Sequence, residues 1–234
     1  MASGVFKGFP PECIKFYAGL KKNNEKRWFD AHRQDFDDHV MDPARGFVAE
    51  MGRRLGKIAP RVQADPRVNR SLFRIHRDTR FSKDKTPYKT NLAIWLWEGP
   101  GARMECSGYY FHLEPPNLML GVGIYMFPKD LLDEYRQAVV HDKYGKALRR
   151  AIARCEKLAG CKIGGKHYKR VPRGFDPEHS NTEYLMYNGL YAGVETKIPK
   201  LIHSPKIIDY CNSRFKDMAP LHKWLLGLTE RAAR

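Results

Sequence analysis

Residues 107–127 read SGYYFHLEPPNLMLGVGIYMF. The first seven are rich in aromatics, and the last ten form an apolar run interrupted by Gly121 and Gly123. Between them, Glu114-Pro115-Pro116-Asn117 has turn composition, because proline fixes φ and removes a backbone donor. Two apolar runs of strand length separated by such a break read as strands of an antiparallel sheet. Outward toward the N-terminus, residues 91–97 (NLAIWLW) are another short apolar run, and Leu72-Phe73-Arg74-Ile75-His76 alternates with the period of a strand extending to Asp78.

Helical periodicity flanks this block on both sides. Ile14, Phe16, Tyr17 and Leu20 share a helical face that stops at Asn23-Asn24, where an asparagine can cap the next helix. Trp28, Phe29, Phe36 and Val40 recur at helical spacing. Phe47, Val48, Met51, Leu55 and Ile58 then make a cleaner amphipathic stripe ended by Pro60. Beyond Pro128, residues 129–140 and 142–158 read as helices and 164–179 (GGKHYKRVPRGFDPEH) as loop. Ser204-Pro205 is a helix-start signature, opening one or two helices over 205–228. Strands grouped between helical runs predict an α+β fold: a central antiparallel sheet of about four or more strands flanked by N-terminal and C-terminal helices. At 234 residues the expectation is a single domain, 1–234, with N-terminal helices at about 11–58, the sheet at about 71–127 and a C-terminal helical part at about 128–230.

Composition narrows the class. A hydrophobic share of 42 %, with twelve Tyr, twelve Phe and four Trp, is that of a globular protein. The N-terminal MASGVFKGFPPECIKFYAGLKKNN lacks the apolar core of a signal peptide, and no run approaches the roughly 18 apolar residues of a membrane span, so a soluble protein without a membrane partner is expected. Five cysteines without a CxxC pair suit neither a disulfide framework nor a four-thiolate zinc site, which points to a reducing cytoplasm. The net charge of +16 is segregated. Residues 53–89 carry twelve Lys/Arg against three acids and 143–173 carry eleven against one, while the remainder is slightly acidic. Concentrated positive charge favours a polyanionic partner, whereas an evenly spread excess mainly aids solubility.

Most motif chemistries are excluded. Residues 160–167 (GCKIGGKH) approach a phosphate-binding loop but lack the preceding strand and the closing hydroxyl. The nucleophile elbow, HExxH and the EF-hand loop are absent, and the acidic patch Asp35, Asp37, Asp38, His39 and Asp42 spreads around a helix, so neither a metal nor a cofactor is expected. Two stretches remain. On helix 142–158, Lys143, Lys146, Arg150, Arg154 and Lys157 form a basic stripe opposite Leu148, Ile152 and Cys155. Residues 74–89, RIHRDTRFSKDKTPYK, hold six cations against Asp78 and Asp84. As a strand, this segment projects Arg74, His76 and Asp78 to one face, and its surplus of cations leaves room for an anion.

The pattern Arg74-x-x-Arg77-Asp78-x-Arg80-Phe81-x-x-Asp84-Lys85-x-x-Tyr88 resembles the signature of the domain of unknown function 2461 family. Asn23-Asn24 before Trp28-Phe29, Gly108-Tyr109-Tyr110, and KRVPRGFD at 169–176 extend the resemblance over most of the chain. It brings no activity with it, but it suggests which residues belong together. Arg74, Arg77, Arg80, Lys83, Lys85 and Tyr88 would form a clamp with Lys169, Arg170 and Arg173, and Tyr110, His112 and Trp28 would line its wall. Arg173 is expected within about 10 Å of one of Arg74, Arg77 or Arg80, the range over which charges cooperate at moderate salt. The expected function is binding of a phosphorylated or polyanionic ligand, with nucleic acid first among the candidates. The alternative is a phosphoester hydrolase or transferase with Asp78 or His76 as general base and the arginines stabilising transition-state charge. A third reading makes the motif a structural ion-pair network. Oligomeric state is left open.

Overall fold

A computed structural model describes residues 5–99 and 101–233; residues 1–4, which open the N-terminal stretch read above, together with Pro100 and Arg234, lie outside the described residues. Helices α1 (Pro11–Lys22), α2 (Lys26–Ala31), α3 (Arg33–Phe36) and α4 (Asp42–Leu55) come first, with a π-helical stretch, Asp37–Met41, leading into α4. Strands β1 (Leu92–Glu98), β2 (Ser107–Glu114), β3 (Asn117–Ile124), β4 (Cys161–Lys166) and β5 (Tyr187–Lys197) form one antiparallel sheet in the order β1-β2-β3-β5-β4. Between β3 and β4 lie α5 (Lys129–Val140) and α6 (Asp142–Glu156). The short α7 (Thr182–Leu185) precedes β5, and α8 (Ile207–Ala232) closes the chain. The α+β class, the central antiparallel sheet and the flanking helices are those expected from the sequence. Among the described residues no helix is long and apolar enough to cross a membrane.

Three local expectations are corrected. The C-terminal part is not wholly helical, because it contributes β4 and β5. Both are glycine-rich, which hid them: Gly164 lies under the Tyr191 ring, where a Cβ would sit 2.3 Å from Cε2, and Gly165, at φ +110°, sits where the β4–β5 register slips. Next, the helical run after Asn24 is broken at His32, whose φ of −114° and ψ of 19° leave the helical region. Asn24 does not cap α2. It is Asn23 that closes α1, its Nδ2 donating to the Gly19 carbonyl at 3.0 Å. Finally, residues 72–78 are not a continuous strand, since their backbone partners change partway, as described below.

The chain forms two compact units. One comprises the described residues up to Leu96 with Tyr110–Met119 and Glu195–Ser213; the other comprises Trp97–Tyr109, Leu120–Val194 and the described residues from Arg214. In the first, Phe9, Phe47 and Phe111 form a ring cluster with centroids 4.6–5.5 Å apart, and Phe16 meets Trp28, Phe29 and Phe36 at 5.4–6.3 Å. Such aromatic contacts add to the large apolar area that each ring buries.

In the second unit, Tyr109 packs against Phe215 at 5.3 Å and His222 at 4.8 Å, while Tyr135 packs against Phe127 at 4.6 Å. His222 lies between Ser107 (Nδ1 to Oγ, 2.9 Å) and Glu98 (Nε2 to Oε2, 2.8 Å). A hydrolase triad sets serine on Nε2 and the carboxylate on Nδ1. Here the order is inverted and all three residues are at most 2 % exposed, so the trio is a polar cross-link inside the core. The five cysteines are free thiols, four of them buried.

Candidate anion site

The site lies entirely in the first unit and is built by two short backbone pairings. The amide of Trp95 donates to the Ser71 carbonyl (2.8 Å) and that of Phe73 to Ala93 (3.2 Å), joining the start of the segment to β1. The partner then changes: Lys89 N–H donates to Ile75 O and Arg77 N–H to Pro87 O, each at 2.8 Å, so residues 75–77 run beside 87–89 and residues 79–86 become the loop of a hairpin. Pro87 has no N–H to extend this ladder, and the pairing stays local.

The hairpin is fastened by Asn24. Its Nδ2 donates to the Tyr88 carbonyl at 2.9 Å, and its Oδ1 accepts from the Tyr88 amide at 3.0 Å. The Tyr88 ring, 4 % exposed, stacks on Phe29 with centroids 4.4 Å apart. Tyr88 therefore anchors the hairpin to the helices, and burial raises its pKa. His76, exposed, turns toward that same ring at 5.2 Å, and Trp28 stacks on His32 at 3.9 Å.

Beside the hairpin is an open cavity of ≈ 410 Å³ lined by Phe73, Arg77, Asp78, Lys89, Asn91, Ala93, Tyr110 and His112. Of the residues expected at a site, the structure thus gathers Arg77, Asp78, Tyr110 and His112, and leaves His76, Tyr88 and Trp28 outside the lining. Lys89 and Asn91 were not anticipated. The signal for Asn91 was present, because counting by twos along 91–97 puts it with Ala93 on the face of β1 that neighbours alternate residues of β2.

The polar groups of the cavity are ordered by their neighbours. Arg77 directs Nη1 to Asp84 Oδ2 (2.5 Å), to the Thr86 carbonyl (3.2 Å) and to the Thr86 hydroxyl. Its Nε and Nη2 donors have no acceptor among the described residues, and the side chain is 25 % exposed. Lys89 reaches the Arg74 carbonyl with Nζ at 3.0 Å and lies 5.5 Å above the Phe73 ring. On β2, the Tyr110 hydroxyl is 2.9 Å from His112 Nδ1, His112 Nε2 is 3.4 Å from Glu114 Oε2, and Thr90 donates to Glu114 Oε1 at 2.9 Å. With Glu114 beside Nε2, the arrangement is satisfied when Nε2 carries the proton and Nδ1 accepts from Tyr110. Burial pushes the Tyr110 phenol up to about 12, with the Glu114 charge adding to it, so the hydroxyl keeps its proton at neutral pH.

Both carboxylates of the motif are ionised. Two hydrogen bonds from Arg80, Nε at 3.0 Å and Nη2 at 2.7 Å, hold Asp78 far below the usual carboxylate range, helped by the Arg80 amide. The Thr86 amide, followed by Arg77, brings Asp84 down to about 2. Lys85 donates to the Thr79 carbonyl at 2.9 Å. Arg74 and Lys83 are exposed, and Phe81, 94 % exposed, projects from the loop with the Arg80 guanidinium 5.7 Å from its ring centre. The motif is partly an internal ion-pair network and partly a donor surface. Lys169, Arg170 and Arg173 are exposed and belong to the second unit.

Residues 12–224 match the family model described as conserved hypothetical protein, domain of unknown function 2461, and the chain is a member of that family. No curated protein matches the sequence.

Proposed function

We propose that the protein binds a small phosphorylated ligand in the cavity of the first unit. The observation that carries this reading is the convergence of Arg77, Lys89, Asn91, Tyr110 and His112 on one open cavity of ≈ 410 Å³. That volume lies within the roughly 300–1,000 Å³ of small-molecule sites, which favours a monomeric phosphate ester such as a nucleotide over a nucleic-acid strand at this position. The two unused donors of Arg77 are set in the fork that matches phosphate oxygens, and Lys89 adds a compact charge. Asn91 supplies a neutral donor, and the Phe73 ring offers an apolar wall for a sugar or base. Five free thiols suit a reducing, cytoplasmic location.

Calorimetric titration with pyrophosphate and AMP tests the proposal. Binding should weaken about tenfold or more in Lys89→Ala and in Asn91→Leu, the usual consequence of losing a charge-assisted or buried hydrogen bond. No heat from either probe with the wild-type protein removes the proposal.

The Tyr110–His112–Glu114 chain favours a second reading, phosphoester hydrolysis or transfer, in which Tyr110 takes a proton from the attacking hydroxyl as it passes its own to His112 Nδ1. Asp78, doubly bonded to Arg80, is too weak a base for that role, and His76 faces Tyr88. A phosphoester screen with and without Mg²⁺ or Mn²⁺ distinguishes the two, since turnover must appear and must vanish in His112→Gln.

A further inference from the structure

The second basic block, residues 143–173, contributes no residue to the lining of that cavity, and its helix α6 carries an aligned row of cations. Lys143, Lys146, Arg150 and Arg154 on α6, with Lys157 at its C-cap, are all exposed. At 100° per residue they fall within an arc of about 80°, and at 1.5 Å per residue they span about 21 Å. The opposite side, Gly145, Leu148, Ala151, Ile152 and Cys155, is buried.

Alignment sets the stripe apart. Several other helical cations are matched to acids three residues away, as in Lys15–Glu12, Arg33–Asp30, Arg45–Asp42, Arg53–Glu50 and Arg136–Asp133, and the exposed Lys21, Lys22, Lys26 and Arg27 are divided between the end of α1 and the start of α2, so they form no single row. None of the five stripe residues has a carboxylate within ion-pair distance among the described residues. Five aligned cations without counter-charges repel one another, and the stripe is relieved only by a partner that brings its own row of negative charge.

The adjoining loop is fixed to the same helix. Arg149 Nη1 donates to Asn181 Oδ1 (2.6 Å) and Ser180 Oγ (3.0 Å), and Asn181, 2 % exposed, donates from Nδ2 to the Val139 carbonyl at 2.7 Å. Asn181 reaches that carbonyl because position 145 is glycine; a Cβ there would lie 2.4 Å from its Nδ2. The loop thus tied down carries Lys169, Arg170 and Arg173, all exposed.

We infer that the α6 stripe is a sequence-independent binding surface for the nucleic-acid phosphate backbone. A duplex carries one negative charge for about every 1.7 Å of its axis, so a row of cations lying across its backbone meets a dense row of phosphates. Residues four apart on the helix are about 6 Å apart, the scale of the separation between successive phosphates. The apolar side of α6 is already buried, so the helix has no apolar face left to enter a lipid bilayer, and a polyelectrolyte is the partner that the stripe matches.

The experiment is fluorescence anisotropy of a labelled 20-base-pair DNA duplex of arbitrary sequence, titrated with the full chain between 20 and 200 mM salt. The wild type should bind at low salt, with affinity falling along a log–log slope of about −4 for four to five neutralised phosphates. The exposed double variant Arg150→Glu/Arg154→Glu should bind more than tenfold more weakly at low salt, with the slope reduced by about two. Lys15→Glu/Arg53→Glu, reversing paired cations elsewhere, should bind as the wild type. No binding at 20 mM salt, equal losses in both charge-reversal variants, or attachment to phosphatidylserine vesicles without attachment to the duplex overturns the inference.

Discussion

The contact that holds the signature hairpin in place is the pair of hydrogen bonds between Asn24 and the backbone of Tyr88, and Asn24→Ala removes both. The two bonds, 2.9 and 3.0 Å long, satisfy the amide and carbonyl of a residue that is 4 % exposed. Each intramolecular hydrogen bond contributes a net 0.5–1.5 kcal/mol, so the loss should be about 1–3 kcal/mol. Asn23→Ala is the control, since that side chain caps α1 through one exposed bond to Gly19 and should cost about 0.5–1 kcal/mol. Asn24→Asp keeps the acceptor for the Tyr88 amide but sets a carboxylate oxygen against the Tyr88 carbonyl, so it should not rescue stability. Urea denaturation gives the three values, and hydrogen exchange at the Tyr88 amide shows whether the hairpin opens locally before the rest unfolds. An Asn24→Ala protein within about 0.3 kcal/mol of wild type, with an unchanged Tyr88 amide, would refute the anchoring role, because even one lost bond exceeds that margin.

Three further outcomes are expected. His222→Leu fills the space of the imidazole but strips Glu98 and Ser107 of their shared partner, so urea denaturation should show a loss of about 3–5 kcal/mol, as when one side of a buried pair is removed. Asp65 and Asp84 are each held down to about 2, by Arg67 and by Thr86 with Arg77 respectively. Because their folded pKa values lie below the unfolded ones, their stabilisation is present above about pH 4 and is lost as the pH falls toward 2; Asp65→Asn should flatten that part of a melting-temperature profile. With Ellman's reagent, Cys161, only partly buried, should react first. Cys13 and Cys155, each pushed up to about 12 by burial, should react only on unfolding.

Strong periodicity and turn chemistry made the first three strands and the helices α1, α4, α5, α6 and α8 readable in the sequence. Residues 107–113 and 118–124 alternate or run apolar between unmistakable breakers, and the structure puts β2 and β3 there. β4 and β5 escaped because their glycines answer to contacts made across the sheet: Gly164 yields to the Tyr191 ring and Gly165 to the register slip, and neither cause is local. The hairpin at 75–89 escaped for a related reason. Alternation in 72–78 marked extended backbone correctly, but which neighbour that backbone pairs with depends on β1 for one half and on residues 87–89 for the other. At the site, the sequence placed Tyr110 and His112 on one face and identified Arg77, because strand alternation and a cation surplus are local signals. It could not divide the cations between internal and outward roles. Asp78 takes Arg80 and Asp84 takes part of Arg77, and only the folded geometry shows which donors remain.

On the proposed function, the remaining donors of Arg77, with Lys89, hold a phosphate. Crystals soaked in tungstate, a heavy tetrahedral oxyanion, test it most directly through anomalous scattering. An anion should appear with oxygens about 3 Å from Lys89 Nζ and from Arg77 Nε or Nη2, with Asn91 completing its contacts. Tungstate bound elsewhere on the protein, with the cavity between Lys89 and Arg77 empty at full soak, would contradict it.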